Sequence, residues 1–85
     1  MNEKKSNMSV LSPLLDTMEA LYVRWLDEHE YEDFNDYINH MENQLPKGVQ
    51  LTKMTKKPFR AEFNVMGTMK FYIKVTLKAT TYGRL

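Results

Sequence analysis

Residues 59–75 read Phe59-Arg60-Ala61-Glu62-Phe63-Asn64-Val65-Met66-Gly67-Thr68-Met69-Lys70-Phe71-Tyr72-Ile73-Lys74-Val75, and this stretch decides the fold. Apolar side chains take every second position on both sides of Met66-Gly67-Thr68. Successive strand residues point to opposite faces of a sheet. The alternation therefore predicts two strands with their apolar residues on one face, joined by a hairpin turn at the glycine. The phase also specifies the register. Pairing Val65 with Met69 sets Phe63 opposite Phe71, Ala61 opposite Ile73 and Phe59 opposite Val75. A slip of one residue would turn one strand's apolar set to the wrong side. The alternation continues through Thr76, Leu77, Lys78 and Ala79, which predicts a second strand over 69–79 with Leu77 and Ala79 inward.

Upstream, Gly48-Val49-Gln50-Leu51-Thr52 alternates and then loses phase at Lys53 and Met54. It reads as an edge strand whose lysines discourage edge-to-edge pairing, followed by a turn at Lys56-Lys57-Pro58. Further upstream the period changes from 2 to 3.6. Leu14, Leu15, Met18, Leu21, Tyr22, Trp25 and Leu26 recur at three- and four-residue steps, predicting an amphipathic helix over about 13–29. Ser12-Pro13 reads as its start, with Ser as cap and Pro at the first helical position, where a missing N–H costs nothing. Phe34, Tyr37, Ile38, Met41 and Leu45 predict a second helix over about 32–44, stopped by Pro46. No Gly or Pro separates the two, so one bent helix is an alternative. Residues 1–10 are polar and read as a flexible lead-in, with 11–85 forming one domain.

A sheet apolar on one face needs a cover, and the helices supply one. The expected fold class is α+β: two N-terminal amphipathic helices packed on one face of a three-stranded antiparallel sheet, in the order α-α-β-β-β. Trp25 and the methionines of the helical stripe read as packing.

Net charge is only +1, but it is unevenly placed. Residues 1–46 hold ten acids and three bases, a net −7, while residues 47–85 hold nine bases and one acid, a net +8. Such asymmetry points either to charged partners or to a domain that neutralises itself by packing an acidic layer on a basic one. On the open sheet face the register sets Arg60 beside Lys74, Glu62 beside Tyr72 and Asn64 beside Lys70, with Thr76 and Lys78 further along. Lysines two apart on a strand lie about 6.6 Å apart. Basic residues around an aromatic that can stack on a base hold single-stranded nucleic acid without strict sequence reading. The candidate nucleic-acid-binding residues are therefore Arg60, Lys70, Lys74 and Lys78 for phosphates and Tyr72 for stacking. Lys56 and Lys57 in the neighbouring turn extend the same positive region. An ordinary solvated face has similar composition.

The second unusual patch is acidic: Asp27, Glu28, Glu30, Glu32, Asp33 and Asp36. It reads as a solvated helix corner or as a docking site for a basic protein, including a second copy of the chain. It lacks the spacing and central glycine of a calcium loop, and His29 and His40 form no metal-binding pair, so no metal is expected there. The chain has no cysteine and three glycines, which excludes a Cys nucleophile and a Gly-rich phosphate loop. Its serines lie in the lead-in or at a cap with no His nearby. No enzymatic activity and no cofactor are expected. No secretory signal and no run of apolar residues of membrane-spanning length occurs, so a cytoplasmic protein without membrane contact is expected.

In its small size, its lack of cysteine, its Met, Lys and Asn content and its helix-plus-hairpin plan, the chain resembles small early proteins of large T-even-like tailed phages. Among these is an antitoxin-like protein that counters an RNA-cleaving toxin and involves RNA. The resemblance implies a counter-defence protein acting by binding in the host cytoplasm, and it carries over no site residue. Two functions are thus expected: a non-enzymatic nucleic-acid-binding protein, RNA preferred to DNA, using the sheet face; or an inhibitor of a basic host protein using the acidic corner. A homo-oligomer is also anticipated. It forms either by charge pairing between unlike patches or as a symmetric dimer through apolar surface or the edge strand near Val49–Thr52.

Overall fold

The computed structural model describes the backbone of residues 2–28 and 33–85, and the side chains of 11–27 and 33–85. It is an α+β fold in which two helices lie on one face of an antiparallel sheet. The sheet has four strands rather than three. Helix α1 spans Asn2–Glu28 and α2 Phe34–Asn43. Strands β1 (Val49–Lys56), β2 (Phe59–Val65), β3 (Met69–Val75) and β4 (Thr80–Arg84) form a meander in the order β1-β2-β3-β4.

The β2–β3 pair has the register that the alternation requires, from Val65 opposite Met69 to Phe59 opposite Val75. Its turn places Met66 and Gly67 at positive φ, the backbone twist that suits a tight hairpin. Phe59, Ala61, Phe63, Phe71, Ile73 and Val75 are all buried.

Three expectations are corrected. First, α1 does not start at Ser12-Pro13. Its backbone is helical from Asn2, and Pro13 lies inside it. A proline there forfeits one hydrogen bond to the carbonyl four residues back, while Leu11, one turn before Leu14 and Leu15, packs on the core. A 27-residue helix is about 40 Å long, close to the 43 Å longest extent of the molecule. Leu26, assigned to the core stripe, is instead 43% exposed.

Second, the phase slip after Thr52 is a β-bulge. The register shifts between Leu51 and Lys53, so Leu51 meets Phe63 while Lys53 meets Glu62. The Thr52 hydroxyl donates to the Glu62 carbonyl at 3.1 Å beside the irregularity. One extra residue restores the alternation. Met54 turns inward and Lys53 and Thr55 turn outward, and β1 runs on to Lys56.

Third, β3 ends at Val75. Thr76–Ala79 is a turn, and the chain returns as β4, with Val75 opposite Thr80 and Phe71 opposite Arg84. The Thr76 N–H donates to the Ala79 carbonyl at 3.0 Å, and the Thr76 hydroxyl accepts from the Lys78 and Ala79 N–H groups. A threonine side chain can close a turn in this way without Gly or Pro. Leu77, expected inward, is 81% exposed, and Lys78 belongs to this turn rather than to a strand face.

Helix α2 is a separate helix. Its cap Asp33 has extended backbone (φ −72°, ψ 130°), and its carboxylate accepts from the Asn35 N–H at 3.0 Å. The helices divide the cover between them, α1 packing on β3 and α2 on β1. Leu14, Met18, Leu21, Tyr37 and Met41 meet the buried sheet residues. Near Phe59 an aromatic cluster ties helices to sheet. Tyr22 lies 5.3 Å from Phe59, and Trp25 meets Phe34 and Tyr37 edge-on at 5.4 and 5.5 Å. Such edge contacts add about 0.5–1.5 kcal/mol each beyond burial. Among the described residues no helix is long and apolar enough to cross a membrane.

Candidate nucleic-acid interface

Among the described residues neither helix covers the second face of the sheet. The strand registers arrange its residues in three rows across the strands. The first is Gln50–Asn64–Lys70, the second Lys53–Glu62–Tyr72–Gly83, and the third Thr55–Arg60–Lys74–Thr81. Of the residues expected there, Arg60, Lys70, Tyr72 and Lys74 occupy this face. Gln50, Lys53 and Thr55 join them from β1, and Thr81 and Gly83 from β4. The face holds four cations, Lys53, Arg60, Lys70 and Lys74, against one acid, Glu62.

The cations are not equivalent. Arg60 is tied down within the sheet: its guanidinium pairs with the Glu62 carboxylate and lies 4.7 Å from the centre of the Tyr72 ring. Both members of the ion pair are about three-quarters covered (27% and 23% exposed), so the pair is screened less than a surface one. The Tyr72 ring leans across β4. A Cβ placed on Gly83 would sit 3.1 Å from Tyr72 Cε1, so the glycine is what lets the ring lie over that strand. Arg60, Tyr72 and the Gly83 backbone thus form one stack. Lys53 and Lys70 are exposed and Lys74 half-exposed, and no ion pair is recorded for any of the three among the described residues. Asn64 Oδ1 is buried without a hydrogen-bond partner among the described residues.

Lys56, Lys57 and Lys78 do not belong to this face. They lie at one end of the sheet, around two adjoining shallow grooves of about 310 and 330 Å³ that share Tyr22, Leu26, Val75 and Thr76. The register explains Lys56, which pairs with Phe59 and so shares its helix-side orientation. The seven residues expected to act together are divided between two surfaces.

The acidic corner is also divided. Asp33 caps α2 and Asp36 lies in its first turn, where a carboxylate meets the positive end of the helix dipole. Asp27 is exposed on α1. Glu30 and Glu32 lie outside the described residues, and Glu28 is described only as the last backbone position of α1.

The contribution of β1 to the face was detectable in principle. The phase slip at Thr52 is the signature of a bulge, and counting one residue out puts Lys53 on the open side. Gly83 carried no such signal, because its role depends on where Tyr72 lies. Comparison of the chain with protein-family models, curated proteins and solved structures finds no match.

Proposed function

We propose that this chain is a non-enzymatic nucleic-acid-binding protein that takes single-stranded nucleic acid, RNA by preference, across the open face of its sheet. The observation that carries the reading is the uncovered face itself. Lys53, Lys70 and Lys74 surround a stacked Arg60–Tyr72 pair, and only one acid lies among them. A solvated face kept only for solubility has no need of an aromatic ring packed over a glycine and beside a guanidinium. Lys70 and Lys74 are separated by about 13 Å along β3, and Lys53 lies two strands away, roughly 10 Å across. A backbone crossing the sheet would meet them in turn, while a base stacks on the outer face of the Arg60 guanidinium, which Tyr72 supports from below. A guanidinium plane of this kind holds unstacked bases. The residues assigned are Lys53, Lys70 and Lys74 for phosphate and Arg60 with Tyr72 for stacking. Counter-defence in a phage-infected cell, which the resemblance implies, draws no support from these residues.

Binding through three or four phosphate contacts on a single strand requires the logarithm of affinity to fall against the logarithm of salt with a slope of about −2 to −3. Fluorescence anisotropy of a labelled single-stranded RNA, titrated from low to moderate salt, measures it. A flat response, or no binding at low salt, eliminates the proposal.

Asp33 and Asp36, which the alternative of a basic protein docked at the acidic corner would use, are exposed and also serve α2.

A further inference from the structure

The two edges of the sheet are built differently. Strand β1 is interrupted by its bulge and carries Lys53 and Lys56, both devices that discourage pairing with another strand. Strand β4 has neither. Its sequence Thr80-Thr81-Tyr82-Gly83-Arg84 contains no Pro and no Lys, and its pairing with β3 is regular. The backbone polarity of β4 follows from its hydrogen bonds. Ala79 accepts from the Thr76 N–H and Leu85 donates to the Lys70 carbonyl, so odd-numbered residues turn their polar groups toward β3. Thr80, Tyr82 and Arg84 therefore turn theirs outward, three N–H and three C=O groups on an open edge. The same three residues carry their side chains on the helix side, because they pair with Val75, Ile73 and Phe71. Among the described residues that surface is only lightly covered over β4, by the Glu19–Thr80 contact: α1 lies on β3, Tyr82 is 51% exposed, and Val23 and Leu26 on α1 are 60% and 43% exposed.

We infer that β4 is a dimerisation edge and that its partner is the β4 of a second copy, antiparallel about a two-fold axis through Tyr82. Charge selects both the partner and the register. With Tyr82 opposite Tyr82 of the other copy, Arg84 stands opposite Thr80 of that copy. The Thr80 hydroxyl donates to Glu19 on α1, so Arg84 arrives beside the Glu19 carboxylate, twice per dimer. This register also makes the Tyr82–Tyr82 pair and both Thr80–Arg84 pairs hydrogen-bonded ones, so all outward N–H and C=O groups of Thr80, Tyr82 and Arg84 find partners. Centring the axis on Thr81 or Gly83 strands some of them and moves Arg84 away from Thr80. The spacing is compatible. The two β3 strands would be three strand steps apart, roughly 14 Å. Helices centred over them are too distant for direct packing at 8–10 Å, and the gap takes the two Tyr82 rings with Val23 and Leu26 at its sides. The result is one continuous sheet of twice the width, with both open faces on the same side. This inference does not depend on what those faces bind.

A five-residue strand pair with few apolar contacts is at the small end of stable interfaces, so dissociation in the range of ~1–100 μM is expected. Sedimentation equilibrium of the full chain up to ~500 μM should therefore show the mass rising from 10.1 kDa to twice that value. Tyr82→Pro removes an outward N–H that β3 does not use, and should leave a folded monomer. Arg84→Glu and Glu19→Arg should each weaken the dimer about 10-fold or more, and the double variant should recover most of the loss. A chain that stays monomeric at the highest concentration overturns the inference. So does a folded Tyr82→Pro variant that still dimerises, or a double variant no tighter than the singles.

Discussion

Strands β2 and β3 show one set of residues to the helices and another to the outside, and the two sets differ only in phase. On the covered face Phe59, Ala61, Phe63, Phe71, Ile73 and Val75 are each at most 7% exposed, and only Val65 and Met69 beside the turn are partly open. On the open face Arg60, Glu62, Asn64, Tyr72 and Lys74 are half-exposed and Lys70 is exposed. The covered face is constrained by volume, since any change in side-chain size there opens or overfills a packed layer. The open face is constrained by almost nothing in the fold, yet it holds an ordered stack of Arg60 on Tyr72 above Gly83. The contrast teaches where to look for function: at order that stability does not require.

The comparison can be broken from either side. The largest effect belongs to the covered face. Phe63 is fully buried and stacks on Phe71 at 5.3 Å, so Phe63→Ala should cost about 3–5 kcal/mol. For a domain whose total stability is roughly 5–10 kcal/mol, urea denaturation would show a midpoint lowered by about a third or more, down to no folded baseline at the low end of that range. A loss below about 1 kcal/mol would mean that the layer is not packed as described.

Smaller effects follow at a helix cap and at the glycine beneath the open-face stack. Asp33→Ala removes the cap of α2 and should cost about 1 kcal/mol, read as a shifted urea midpoint with unchanged slope. No shift would return Asp33 to the set of acids available for docking. Gly83→Ala should change stability by less than about 1 kcal/mol, but the new methyl meets the Tyr72 ring at 3.1 Å. The Tyr72 ring resonances should move, together with those of the Arg60 side chain, in NMR spectra. Unperturbed signals would show that the ring does not lie over β4.

The smallest effect on stability is the sharpest test of the contrast. Lys70→Glu with Lys74→Glu should leave the urea midpoint within about 0.5 kcal/mol per site. The same variant should abolish binding of single-stranded RNA, because two favourable charges become repulsive. Unfolding of the double variant would mean that the open face is not open. Retained binding would locate the nucleic-acid site elsewhere.

Much of this was legible beforehand, and the reasons are local. The β2–β3 register follows from two phased alternations around a glycine, and the apolar helix stripes follow from three- and four-residue spacing. Binary pattern is written residue by residue, so it survives without knowledge of neighbours. The fourth strand was not legible, because Thr76-Leu77-Lys78-Ala79 keeps the alternation going through a turn. The turn is made by the Thr76 hydroxyl rather than by a Gly or Pro. The start of α1 was misplaced for a related reason: Pro13 is a good first residue of a helix, and nothing local says that the helix has already begun.

By itself the sequence determined the α+β class, the order of helices before strands, the hairpin register and the sorting of Arg60, Lys70, Tyr72 and Lys74 onto one face. Tertiary structure alone decided which of those residues lie together. It removed Lys56, Lys57 and Lys78 to another surface, brought Lys53 in by a bulge, paired Arg60 with Glu62, and laid Tyr72 on Gly83, eleven residues away. The physical reason is that periodicity sets the direction in which a side chain points. Its neighbours across the sheet are set by strand pairings whose ends and irregularities depend on contacts distant in the chain.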